Sequence, residues 1–111
     1  EEMFVAKWKD GTFSEPERLG EDYNSDVSEY SLVIGPNEDY MLICQEAAHA
    51  SPNVFVSYKN ADGAWSDRIR TPYYSGGFLA LSPDGKYLFI ENEGIRWIST
   101  AFVAEFRPKR L

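Results

Sequence analysis

Residues 81–90 read "LSPDGKYLFI", and this stretch decides the fold. Pro83 presets φ for the second position of a turn, Asp84 tolerates the next, and Gly85 takes positive φ. The apolar runs "FLAL" (78–81) and "YLFI" (87–90) flank it, which makes a β-hairpin. A weaker version, "GPNEDYMLI", stands 47 residues earlier at 35–43. Pro36 falls on Pro83, Asn37 on Asp84, Tyr40 on Tyr87, Leu42 on Phe89 and Ile43 on Ile90. The earlier turn lacks the glycine, so Glu38 or Asp39 must occupy or avoid the position that needs positive φ.

A second self-similarity lies in "MFVAKWK" (3–9) over "VFVSYKN" (54–60), at an offset of 51. Phe4 meets Phe55, Val5 meets Val56, and Trp8 falls close to Tyr58. Each is followed by a glycine turn and an aromatic, "DGTFSEP" (10–16) and "DGAWSDR" (62–68). "IRWIST" (95–100) is a third, partial copy. A period of about 40–50 residues marks a repeat architecture, often a propeller blade.

The strands are expected at about 3–9, 12–19, 30–35, 40–45, 53–59, 64–70, 77–82, 87–91 and 94–99, with 102–107 as a further option. The only helix candidate is the tail "TAFVAEFRPKRL", which Pro108 would end. The inner strands are apolar on consecutive residues, as in Met41-Leu42-Ile43 and Tyr87-Leu88-Phe89-Ile90. Such runs imply a sheet covered on both faces. The expected fold is therefore all-β, a partial β-propeller of about two and a half four-stranded antiparallel blades. Residues 1–111 form one segment, with repeat units at about 1–29 (partial), 30–76 and 77–111.

Composition narrows the function classes. Eleven basic residues against eighteen acidic ones leave a net charge of −7. Nucleic acid and anionic membranes need clustered Lys and Arg, so neither is an expected partner. No apolar run reaches about eighteen residues, so no membrane span is expected. Aromatic residues are 15 % of the chain, suiting strands and large buried contacts. The single cysteine, Cys44 in "YMLICQ", excludes an internal disulfide framework and reads as a buried thiol. No signal peptide is visible. The chain opens "EEMF", as a processed product or a piece of something longer would.

Taken together, these motifs resemble the TolB-like, WD-like β-propeller repeat. They are Ser82-Pro83-Asp84-Gly85-Lys86-Tyr87-Leu88, then Val54-Phe55-Val56-Ser57 and Met3-Phe4-Val5-Ala6, then Phe13-Ser14-Glu15-Pro16, then Leu19-Gly20 with Asn24-Ser25. The tail "IRWISTAFVAEFRP" looks like the closing segment of such proteins. The second copy departs from the pattern, since "TPYYSGG" (71–77) has no Asn-Ser. The resemblance implies a bacterial protein, often exported to the periplasm or beyond, that engages protein or sometimes carbohydrate partners. Propellers close with about four to eight blades, so two and a half leave open edges and faces. Missing chain or oligomerisation must complete the ring, and self-association through the open edges is expected.

In such a ring, the loops at one mouth would be 20–30, 46–53, 71–77 and 91–94. They hold the candidate ligand-binding residues Tyr23, Asn24, Asp26, Glu29, His49, Tyr73 and Tyr74. Tyrosine faces and carboxylates suit a peptide, a glycan or a partner loop; solvated turns account for the same residues. Asp22, Asp26 and Glu29 offer oxygens, but their spacing matches no calcium loop. His49 is the only histidine, and no Gly-x-Ser-x-Gly elbow exists, so no catalytic residue is assigned. "NADGAW" (60–65) resembles a sialidase Asp-box without its Ser-x-Asp-x-Gly spacing. Arg68 and Arg70 read as edge charges, and Trp8, Trp65 and Trp97 as blade-to-blade packing. No metal or other cofactor is expected. The function these features imply is a non-catalytic binding or scaffolding module; the alternative is the propeller portion of a hydrolase with its catalytic residues elsewhere.

Overall fold

A computed structural model describes residues 4–18, 29–45 and 52–109, and only the backbone of residues 29 and 30. The described chain is all-β apart from one short helix, in antiparallel sheets, with no closed barrel or ring. It opens with a broken hairpin. β1 (Phe4–Val5) pairs β4 (Glu17–Arg18), and β2 (Trp8–Lys9) pairs β3 (Thr12–Phe13). Asp10 (φ 53°) and Gly11 (φ 82°) form its two-residue tip. Two successive positive φ values match the twist of the flanking strands, which is why Asp-Gly stands there.

A four-stranded meander follows: β5 (Glu29–Ile34), β6 (Tyr40–Gln45), β7 (Asn53–Tyr58) and β8 (Ile69–Tyr74), neighbours in that order. A three-stranded meander comes next: β9 (Leu79–Leu81), β10 (Tyr87–Glu91) and β11 (Ile95–Ser99), with β10 central. Residues 101–106 are helical, as α1 (Ala101–Phe106), so the option of a strand over 102–107 is not realised. Phe102 and Phe106, four apart, fall on one side with ring centroids 6.4 Å apart. Arg107 turns extended (φ −63°, ψ 125°), as a residue before proline prefers, and the helix ends.

The repeats are the same down to their hydrogen bonds. Gly35 N–H donates to Tyr40 O (2.9 Å) and Glu38 N–H to Gly35 O (2.8 Å); Ser82 N–H donates to Tyr87 O (2.9 Å) and Gly85 N–H to Ser82 O (2.9 Å). Glu38 itself takes the left-handed position, at φ 55°, where the second copy has Gly85 at φ 74°. In the other repeat, Ser14 N–H donates to Lys7 O (2.7 Å) and Lys7 N–H to Ser14 Oγ (2.9 Å). Ser66 N–H donates to Tyr58 O (2.8 Å) and Tyr58 N–H to Ser66 Oγ (2.9 Å). The N-terminal hairpin is thus a copy of β7 and the segment leading to β8.

The two larger sheets stack. One face of the four-stranded sheet presents Tyr40, Leu42, Cys44, Val54, Val56 and Tyr58, all buried. It packs on Leu79, Leu88 and Ile90 of the three-stranded sheet, with Phe102 of α1 closing the core. Each fully buried aliphatic side chain contributes roughly 1.5–3 kcal/mol of transfer free energy. The other face of the four-stranded sheet buries Met41 and Ile43 against Leu32 and Trp65. β6 is therefore covered on both sides, as its unbroken apolar run implies. β10 is not: Leu88 and Ile90 are buried, but Tyr87 on the opposite face is exposed.

β8 carries an irregularity that the sequence did not announce. Asn53 pairs Tyr74 while Phe55 pairs Arg70, so β8 holds two extra residues, with Pro72 among them. Buried Asn53 repairs the break. Its Nδ2 donates to Thr71 O (3.0 Å) and Tyr73 O (3.1 Å), and its Oδ1 accepts from Arg70 (2.7 Å). Arg68 donates to Gln45 on the same face. Both arginines point across the sheet at inner-strand amides rather than standing as bare edge charges.

Candidate functional site

Strand order places three expected mouth loops at one end of the sheets. β6 and β10 end there, at Gln45 and Glu91, and β7 begins there. Ser75, buried just after β8, ties the loops together. Its N–H donates to Pro52 O (3.1 Å), its Oγ donates to Phe78 O, and the same Oγ accepts from Glu91 N–H (3.1 Å). Its carbonyl accepts from the Cys44 thiol (3.3 Å). Gly76 N–H donates to Glu91 O (2.8 Å). Sequence reasoning named the loop but passed over Ser75 and Gly76; the signal was a Ser-Gly-Gly run in the position where the other repeat has Asn-Ser.

These ties enclose an open cleft of about 510 Å3, lined by Pro52, Tyr74, Ser75, Gly76 and the loop Glu91–Glu93. Gly76 makes room for a carboxylate, because its missing Cβ would lie 2.2 Å from Glu91 Oε2. Glu91 Oε1 accepts from Gly94 N–H (3.4 Å). Glu93 holds φ 56° and lies 3.8 Å from Arg96, a solvent-exposed pair worth little energetically. Tyr74 is exposed at the rim. The cleft thus offers one aromatic face, two carboxylates and backbone polar groups.

The remaining candidates distribute as follows. Tyr73, one residue from Tyr74 and so on the opposite face of β8, packs into the core with its ring 5.0 Å from Phe102. Glu29 starts β5, its side chain outside the described residues; Tyr23, Asn24, Asp26 and His49 lie outside them entirely. Cys44 is buried, and burial pushes its thiol pKa up, away from a reactive thiolate. Among the described residues, no three His, Cys, Asp or Glu side chains are grouped to hold a metal, and no helix is long and apolar enough to cross a membrane.

At the opposite end of the sheets the two proline turns abut. Gly85 packs so closely on Pro36 that a Cβ there would lie 2.5 Å from its ring. Ser82 and Asp84 brace the second turn: Ser82 Oγ donates to Asp84 Oδ1 (2.7 Å), which also accepts from Lys86 N–H (2.9 Å). These bonds, the serine's first, hold the Asp84 carboxyl below its usual pKa. Thr100 closes the region, its hydroxyl donating to Gly85 O (2.7 Å). The asparagine-type turn "NADG" is braced likewise, Ala64 N–H donating to Asp62 Oδ1 (3.0 Å). Both devices are structural. No family model, no curated protein and no solved structure matches this chain.

Proposed function

We propose that this chain is a β-propeller segment acting as a non-catalytic binding module, which takes a protein or carbohydrate partner at the cleft of Pro52, Tyr74, Ser75, Gly76 and Glu91–Glu93. The observation that carries this reading is the fastening of three separate loops through Ser75 at one end of stacked repeat sheets. Loops fixed on a rigid scaffold are the usual seat of recognition. The cleft's chemistry suits a surface rich in hydroxyl or ammonium donors. The Tyr74 ring gives a flat apolar contact, and the carboxylates of Glu91 and Glu93 accept hydrogen bonds or a positive charge. The test is to probe glycan and peptide arrays with the labelled chain, then titrate the best ligand. Tyr74→Ala combined with Glu91→Gln should weaken that ligand at least about tenfold, since each lost contact is worth about 1 kcal/mol or more. Unchanged affinity in a variant with the wild-type circular dichroism spectrum would move the site elsewhere.

A further inference from the structure

The repeat makes the two larger sheets comparable position by position, and one difference between them is large. β10 pairs β11 as Tyr87 with Ser99, Phe89 with Trp97 and Glu91 with Ile95. β6 pairs β7 as Tyr40 with Tyr58, Leu42 with Val56 and Cys44 with Val54. The 47-residue offset lays Leu42 on Phe89 and Cys44 on Glu91, so their cross-strand partners put Trp97 where Val56 stands and Ile95 where Val54 stands. Val54 and Val56 are completely buried, beneath the three-stranded sheet. Ile95 and Trp97 are 62 % and 67 % exposed, and Tyr87 is 44 % exposed. Among the described residues, this face of the three-stranded sheet is thus a stacking face without its neighbour.

The missing surface can be specified. Inside the chain, this face of one sheet receives the opposite face of the next. In the N-terminal hairpin that opposite face is also bare. Its hydrogen bonds align Lys7 with Tyr58 and Ser14 with Ser66, so Trp8 and Phe13 match Lys59 and Trp65. Lys59 and Trp65 pair as an isolated antiparallel bridge just beyond β7, with Trp65 packed on the Met41 and Ile43 face of the four-stranded sheet. Trp8 and Phe13 stack edge to face at 4.8 Å, exposed at 63 % and 65 %, with Phe4 at 56 %. Six of the nine large exposed apolar side chains among the described residues therefore lie on these two surfaces. A terminal repeat that faces solvent is capped with polar residues; these two surfaces are aromatic, and they are the two complementary kinds of face.

We propose that the bare face of the three-stranded sheet is covered by the N-terminal hairpin of a second copy of this chain, head to tail, so that two copies close a ring of six sheets. Each contact reproduces the stacking already present between the chain's own sheets, and six units lie within the range that closes a propeller. A heterologous contact of this kind ends only when its rotation closes the ring. The inference rests on the propeller reading, not on the cleft as the binding site.

Sedimentation equilibrium of the intact chain tests it. Wild type should weigh about 25 kDa, twice the 12.7 kDa chain. Trp97→Lys and Trp8→Lys, both at exposed positions, should each raise the dissociation constant at least about thirtyfold, as loss of an interface anchor does. Mixing the two variants should bring the heavier species back in part, because the intact hairpin of one meets the intact face of the other at one of the ring's two contacts. A wild-type monomer at about 100 µM, where a stable complex would be saturated, overturns the proposal. So does a larger particle, a dimer that survives Trp8→Lys, or a mixture that stays monomeric. Tyr74→Ala should leave the mass unchanged, so this proposal and the cleft's role fail separately.

Discussion

Gly85 is under two constraints that substitution can separate. The first is conformational: at φ 74°, a side chain costs about 1–2 kcal/mol of backbone strain, less the roughly 0.4–1 kcal/mol by which alanine stiffens the unfolded chain. The second is steric. A Cβ would lie 2.5 Å and 2.9 Å from Pro36 Cγ and Cδ, whereas carbon atoms rest at about 3.5–4.0 Å. The two turns must separate by about 1 Å, and overpacking of this kind costs about 1–3 kcal/mol. Gly63 supplies the control, since it holds φ 89° with nothing within 4 Å of a built Cβ. Gly63→Ala should therefore cost about 1 kcal/mol, and Gly85→Ala about 2–4 kcal/mol. Pro36→Ala removes Cγ and Cδ and leaves a Cβ at an ordinary 3.8 Å. In that background Gly85→Ala should fall to the Gly63→Ala value, a coupling of about 1–3 kcal/mol. Urea midpoints at one protein concentration, with unchanged slopes, measure all four terms. Equal costs for Gly85→Ala and Gly63→Ala, or additive effects of Gly85→Ala and Pro36→Ala, would refute contact between the turns.

Two further outcomes follow from buried polar groups. Asn53→Ala removes three hydrogen bonds and strands the carbonyls of Thr71 and Tyr73, so it should cost about 2–4 kcal/mol, while Asn60→Ala, at a turn, should cost far less. The check is again urea denaturation. Tyr58 donates its hydroxyl to Val103 O, and burial of the phenol pushes its pKa up from 10.0 to about 12, against the opposing charge of Arg107. The folded state keeps this proton where the unfolded state loses it. The contribution of Tyr58 to stability is therefore full below pH 10 and lost as pH climbs through about 12. Urea midpoints between those pH values should fall more steeply for wild type than for Tyr58→Phe, and equal slopes would exclude Tyr58 as the cause.

What was legible in the sequence was local chemistry. Pro83, Asp84 and Gly85 dictate a turn wherever they stand, and their ghost at Pro36 and Asn37 was enough to locate the other. Ser14 and Ser66 kept the second repeat visible because each clasps its neighbouring strand through both Oγ and N–H. What escaped depends on distant partners. The irregularity in β8 needs Asn53, eighteen residues before Thr71, to accept the break. The choice between strand and helix at 101–106 turned on Phe102 finding the sheet-to-sheet core. Trp8, Trp65 and Trp97 look alike as packing residues, yet of the three only Trp65 joins a buried cluster among the described residues. The mouth loops followed from strand order, but Tyr73 and Tyr74 part company across a strand, and only one reaches the cleft.

The stacked sheets are fastened at both ends, by Gly85 on Pro36 and by the bonds of Ser75. Between these rivets, the side chains filling the core set how far apart the two sheets stand and how far one leans on the other. In the ring proposed above, that lean would fix how many sheets meet in one circle. Widening one end by a single methyl group, as Gly85→Ala does, would then alter that number as well as the stability of one chain.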